Sequence, residues 1–256
     1  MEIIEAFVTK NKCYQIGTPL KPRGIMLHSV GTPQPSAAVF ARGFNQYQPG
    51  GASVCVHAFV QADGTVYQTL PWEMIAWHCG GGANGTHIGV EMTEPDCIRY
   101  TGGATFVCSD RARAVAQVTG TYNTAVALFA QLCTQFGLDP RSDIISHAEA
   151  SVMGIGTDHA DPEHLWQQLG TGYTMDGFRT DVAEAMNKND SKEDEEEMVR
   201  YNTIEDVPAW AQDGVRRLVE RGALVGTGGG KLNLSEDMLR TLLVCQKMID
   251  AAGDRK

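Results

Sequence analysis

No stretch of this 256-residue chain reaches the roughly 18 consecutive apolar residues that a membrane-spanning helix requires. The opening MEIIEAFVTKNKCYQIG also lacks a basic start, an apolar stretch and a small-residue cleavage site. The sequence therefore carries no export signal of its own, and the chain is expected to be made in the cytoplasm. Positive charge is in short supply, with 21 Lys and Arg against 31 Asp and Glu and a net charge of −10. That balance argues against nucleic acid or an anionic membrane as the main partner. Paired cysteine is missing too. Cys13, Cys55, Cys79, Cys97, Cys108, Cys133 and Cys245 are odd in number, scattered and never in a CxxC pair, which speaks against a disulfide framework or a four-cysteine zinc site. Most are expected to be reduced and several buried. What is present is an ordinary globular composition, 43% hydrophobic, in a chain long enough for a large domain or for a medium domain with a small companion.

The patterns run strand, helix, strands, helix. RGIMLHSV (23–30) reads as a strand and PSAAVFARGFNQY as a short helix. SVCVHAFVQADGTVYQTL reads as two strands joined by the turn Ala62-Asp63-Gly64, with Gly64 free to take the positive φ that a hairpin needs. THIGVEMTE (86–94) is a further strand. Val115, Val118, Tyr122, Ala125, Phe129, Leu132, Cys133 and Phe136 recur at three- and four-residue steps and predict a helix over 110–136, with Ser109 as N-cap and Gly137 past its end. Another helix is expected through GFRTDVAEAMN. The class this predicts is α/β: a central mixed β-sheet flanked by helices, occupying residues 1–186.

Residues 187–200 place six acidic side chains within eight positions, a charge block expected to form a solvated linker or a frayed helix end. Residues 201–256 then read as a small helical module. One helix carries Ala211, Val215, Leu218 and Val219 on a face and stops at Gly222. A second, over 235–251, has Ser235 as N-cap and a stripe of Met238, Leu242, Cys245 and Ile249. So small a module is expected to dock on something or to pair with a copy of itself, making a homo-oligomer through the tail possible.

Chemistry points to the histidines. His28 ends an apolar strand where loops gather, and His147 follows the apolar pair Ile144-Ile145. The loop beyond delivers Asp158-His159-Ala160-Asp161-Pro162. Two histidines and a carboxylate converging from separate loops are what a catalytic zinc needs, because three protein ligands leave a fourth tetrahedral position open. Glu91 sits centrally in HIGVEMTE, where Ile88, Val90 and Met92 point to one face and Gly89, Glu91 and Thr93 to the other. A carboxylate there is either a salt-bridged structural group or a general base. Trp77 and His78, in AWHCGG, are either core and loop cap or a substrate platform. His57 alternates within a strand and is expected to be structural; His87 and His164 are expected at the surface.

GIMLHSVG, then HAFVQADGTVYQTLPWEMIAWHCGG, GTHIGVEM and SHAEASVMGIGTDHADPEHLW resemble, in order, the successive motifs of the zinc-dependent N-acetylmuramoyl-L-alanine amidases. That amidase-2 family includes phage lysins and is related to the peptidoglycan-recognition proteins; the resemblance covers about residues 20–170. It implies Zn2+ held by His28, His147 and Asp161, with Glu91 as the catalytic base, His159 where many relatives place a lysine, and Trp77 and His78 in the substrate groove. The segment SVMGIGT is extra relative to the family pattern, so Asp158 or His159 stays open as third ligand. The implied activity is hydrolysis of the amide between N-acetylmuramic acid and L-alanine in peptidoglycan, by an endolysin that reaches the wall after holin-type release or lysis. The alternative is a non-catalytic recognition protein that keeps the groove and binds peptidoglycan. The tail resembles, more loosely, a surface-layer-homology half repeat or the C-terminal modules of clostridial phage lysins, through Trp210, Leu218, Gly222 and Gly226.

Overall fold

The elements follow in the order β1 (Glu2–Glu5), α1 (Lys12–Ile16), β2 (Gly24–Ser29), α2 (Ala37–Phe44), β3 (Ala58–Val60), β4 (Thr65–Gln68), a 3-10 turn (Gly82–Gly85), β5 (His87–Met92), β6 (Ile98–Gly102), β7 (Thr105–Cys108), α3 (Arg111–Phe136), α4 (Pro140–Asp143), β8 (Ile144–Ser146), α5 (His147–Val152), α6 (Glu163–Leu169), α7 (Met175–Glu197), α8 (Ala209–Glu220) and α9 (Glu236–Gly253). The structure, a computed structural model, describes residues 1–46, 54–197, 200–229 and 231–253. Chain contacts divide it into two compact units, Met1–Lys188 and Asn189–Lys256.

In the first unit six strands pair in the order β1-β4-β3-β5-β2-β8. All neighbours are parallel except β3 with β4, the hairpin whose turn residue Gly64 has φ +91°. The mixed sheet is thus as the patterning predicts. Strict alternation sorts its two faces. Ile25, Leu27, Ile88, Val90 and Met92 join α3, α6 and α7 in the main core, where Leu128, Phe129, Leu132, Trp166 and Phe178 are fully buried. Each such side chain stabilises the fold by about 1.5–3 kcal/mol through burial. Met26 and Ile145 face the other way, against Cys79, Ala83 and Ala150. His28 and Glu91 share the parity of Met26 and Gly89 and so belong to that second face.

The long helix starts one residue later than its N-cap pattern suggests. Asp110, not Ser109, accepts the Arg113 amide at 3.0 Å, and the Ser109 hydroxyl instead donates to the Cys97 carbonyl. Both residue types cap well; the Cys97 carbonyl, just before β6, takes the Ser109 hydroxyl and decides between them. Gly137 ends the helix in the left-handed conformation as expected. Helix α7 runs on to Glu197 and takes in most of the acidic stretch.

The second unit has a thin core of Val207, Ala211, Val215, Leu234 and Leu239, fringed by half-buried apolar residues. Ser235 caps α9 through the Met238 amide, and Gly222 closes α8 at φ +68°. Trp210 and Met238 are exposed, and the Arg240 guanidinium lies 5.6 Å from the Trp210 ring centre. Among the described residues no helix is long and apolar enough to cross a membrane.

Candidate metal centre and active site

Strands β2, β5 and β8 are parallel, so their C-terminal ends lie at one edge of the sheet. His28 is the penultimate residue of β2, Glu91 the penultimate residue of β5, and His147 the first residue after β8. Ser146 caps α5 in a reciprocal capping box with Glu149, which fixes the direction in which His147 leaves the strand. Asp161 arrives from the loop before α6 and ties back to the strand ends, accepting the Ser29 amide at 3.3 Å and lying within reach of both imidazoles.

Among the described residues, one group of metal-ligating side chains converges: His28, His147 and Asp161, all buried. The Nδ1 atoms of His28 and His147 stand 3.1 Å apart, and the Asp161 oxygens lie 3.3 Å and 3.5 Å from them. Asp158 is exposed on the rim, and His159 is exposed and stacked on the His147 ring at 4.1 Å between centres. Burial alone would raise the Asp161 carboxyl, but hydrogen bonds and attraction from His147 and His28 outweigh it and hold the group well below the ordinary carboxylate range. Burial lowers His28 against the pull of Asp161.

Two imidazole lone pairs and a carboxylate in a buried triangle repel one another unless something positive lies between them. A divalent cation would fit that demand, held by His28, His147 and Asp161 beside an open cavity. That cavity, of about 640 Å³, is lined by His28, Gly31, Glu91, Tyr100, His147, Asp158, His159, Asp161 and His164 among others. Glu91 is half-buried in its wall, and its Oε2 is shielded from solvent with no hydrogen-bond partner among the described residues. Burial first, then the charges of Asp161 and Glu94, push the Glu91 carboxyl well above its ordinary range. Among the described residues no cation pairs with it, so the salt-bridged structural reading finds no support in the geometry.

The other expected residues fall as follows. Trp77 is 36% exposed and lines an adjoining hollow of about 480 Å³ with Lys12 and Val54. His78, His147 and His159 border both hollows. The His78 nitrogens are engaged inside the protein, Nδ1 at 2.9 Å from His28 Nε2 and Nε2 at 3.2 Å from the His87 carbonyl. His57 is structural, with one nitrogen on the Met74 carbonyl and the other taking the Gly89 amide; burial lowers it to about 4.

His164 departs from the expectation of a surface residue. It is half-buried and lines the main cavity, with Nε2 at 2.8 Å from the Tyr100 hydroxyl, which also lies 2.8 Å from Glu94 Oε2. Tyr100 and Glu94 were not singled out by sequence. Tyr100 stands on the hairpin β6–β7, and the fully buried Glu94 follows β5 and accepts the Gly31 amide at 3.0 Å. Only the local pattern TEPD, a carboxylate just past an apolar strand, signalled Glu94.

Comparison with known proteins bears on this arrangement. Against solved structures, the chain resembles the Staphylococcus aureus hydrolase AmiA in complex with its ligand, with 21% identity, a TM-score of 0.54, and 75% of this chain and 86% of that chain covered. It also resembles a mutant form of PlyL, with 20% identity, a TM-score of 0.51, and 72% and 99% covered. At these identities both likenesses speak for the fold alone. No match was found among curated proteins. The family model for N-acetylmuramoyl-L-alanine amidase matches residues 18–164, more than half of the sequence and the whole stretch from β2 to Asp161 that builds the site, and the chain therefore belongs to the N-acetylmuramoyl-L-alanine amidase family.

Proposed function

We propose that the protein hydrolyses the amide bond between N-acetylmuramic acid and L-alanine in bacterial peptidoglycan, as a zinc-dependent enzyme of the endolysin type. The observation that carries this reading is the juxtaposition, in one cavity, of the buried His28, His147 and Asp161 triangle with the Glu91 carboxyl, whose Oε2 has no hydrogen-bond partner among the described residues. When bound, zinc supplies a positive charge that polarises the scissile carbonyl and acidifies water. Glu91 takes the proton of the attacking water; its raised pKa gives the conjugate acid enough strength of grip to hold that proton for the next step. His159, exposed and stacked on His147, is proposed to donate a hydrogen bond to the developing oxyanion or to pass a proton to the leaving amine. Trp77 offers an indole face to the sugar or the stem peptide in the adjoining hollow.

The unit Asn189–Lys256 is proposed as a wall-binding or self-association module. Its exposed Trp210 and Met238 are available to a partner. The enzyme is proposed to reach the wall on release or lysis.

The test is the bond that is cut. Purified protein incubated with isolated bacterial walls and zinc should release material with new amino-terminal alanine and no new reducing sugar ends, and a chelator should stop it. Wall pelleting without any new alanine termini would instead identify a recognition protein that binds peptidoglycan and leaves it whole.

A further inference from the structure

The two imidazoles of the metal triangle point Nδ1 inward, and what holds them that way is one loop. Consider first His28. The His87 carbonyl is only an acceptor, so His78 Nε2, 3.2 Å away, carries the proton. The neutral His78 ring then has a lone pair at Nδ1, which takes the proton of His28 Nε2 at 2.9 Å. His28 is left with its lone pair on Nδ1, facing His147 and Asp161.

The same logic runs through Thr157 for His147. The Thr157 hydroxyl lies 3.0 Å from the Cys79 carbonyl, to which it donates, and 3.3 Å from His147 Nε2, from which it accepts. His147 Nδ1 is again left bare toward the triangle. Both chains end in the segment His78-Cys79. Asn84 Oδ1 clamps that segment by accepting both amides at 2.9 Å, and the Thr157 amide donates to the Cys79 carbonyl at 2.8 Å. Glycines make the approach possible. A Cβ at Gly89 would stand 2.5 Å from the His78 ring, and one at Gly81 would stand 2.2 Å from the Ile155 carbonyl oxygen. Thr157 closes the SVMGIGT segment.

We infer that His78 and Thr157 are positioning residues which, by holding the distal nitrogens of His28 and His147, lock both rings in the tautomer that presents Nδ1 to the metal. The inference rests on the metal reading above. Partners of this kind set ligand orientation and basicity, and their loss typically lowers metal affinity by about 10–100-fold. His78 is the stronger case, because it is half-buried with both ring nitrogens engaged inside the protein, while the exposed Thr157 side chain is reached by water that can substitute for the hydroxyl.

Zinc affinity of the full chain, measured by competition with a chromophoric chelator, tests this alongside circular dichroism for each variant. His78→Phe keeps a ring and loses the acceptor, so affinity should fall by about 10–100-fold. His78→Asn places an amide oxygen where Nδ1 was and should recover most of it. Thr157→Val should lose about 10-fold, while Thr157→Ser matches the parent. In nitrogen-15 spectra of the zinc-loaded protein, the His28 Nε2 proton should exchange slowly in the parent and fast in His78→Phe. If His78→Phe does not fold, the Thr157 pair decides alone. A parent chain that binds no zinc overturns the metal reading and this inference with it. A parent that binds zinc while His78→Phe and Thr157→Val bind equally well overturns the positioning role and leaves the metal reading standing.

Discussion

His28 and Glu91 sit directly opposite each other in the register of the parallel pair β2–β5. An imidazole of the metal triangle and the carboxyl that faces its cavity are therefore fixed by the same backbone ladder. A slip of one residue between these strands would carry Glu91 to the α3 side of the sheet and leave His28 alone. Because Ile88, Val90 and Met92 of β5 would be turned out of the main core by the same slip, the hydrophobic core that selects the fold also selects the geometry of the site.

Replacing Glu91 with Gln keeps the shape of the side chain and removes its basicity. Turnover should drop by on the order of 100-fold or more, with zinc content unchanged. Wild-type turnover in a zinc-loaded Glu91→Gln enzyme would return the residue to a structural role.

Metal removal should silence the enzyme without unfolding it. The main core of β-sheet, α3 and α6 is built from residues on the face away from the triangle, so the far-ultraviolet circular dichroism should survive chelation and activity should return when zinc is restored. Loss of the helical signal on chelation would make the ion structural.

Glu94 gives a pH signature. Burial raises its carboxyl to about 7, so between roughly pH 4.3 and 7 the folded chain holds a proton that the unfolded chain has released. Its contribution to stability is complete below that window and is lost as pH rises through it. The buried histidines, lowered on folding, act in the opposite sense. The readout is thus the difference between the parent and Glu94→Gln in urea unfolding. The parent's advantage should shrink by on the order of 2 kcal/mol from about pH 5 to about pH 7.5. A difference that does not change with pH would show that Glu94 is ionised alike in both states.

Cutting the chain after Lys188 should leave the site working on a small soluble muramoyl-peptide, since all the residues of the triangle and its cavity precede the cut. Activity on whole walls should fall by about 10-fold or more through loss of tethering. Sizing and wall-pelleting of the two proteins separate self-association from wall binding; equal behaviour in every assay would leave the second unit without either role.

The regular parts of this fold were legible because burial imposes a period. α3 buries one clear face, its apolar residues recurring at three to four positions, and β2, β3 and β5 are short apolar stretches buried almost throughout. The edge strand β1, the three-residue β8 and the hairpin β6–β7 are too short or too exposed to write such a pattern. Missing that hairpin had a direct consequence for the site: with no Tyr100 to cover it, His164 read as a surface residue. Motif order brought out His28, His147, Asp161 and Glu91. The engagement of His78 was not readable, because it depends on a ring lying over Gly89, a contact between segments that no local pattern records.

The two edges of the central sheet are built to different tolerances. Where β2 and β5 begin, Gly24 is jammed: a Cβ would stand 2.5 Å from the Asp143 carbonyl oxygen and 2.7 Å from the His87 ring. Where they end, Gly154 in the extra segment has open space around it at φ +72°. Chain length can therefore be added at Gly154 with little strain, whereas at Gly24 even a single added carbon meets backbone and a ring. Variation in what the enzyme selects can accumulate at the exposed turn around Gly154, short of Ile155, Thr157 and His159, while the frame beneath stays the same, so a graft or insertion meant to redirect this protein to a different wall belongs at Gly154 and not at Gly24.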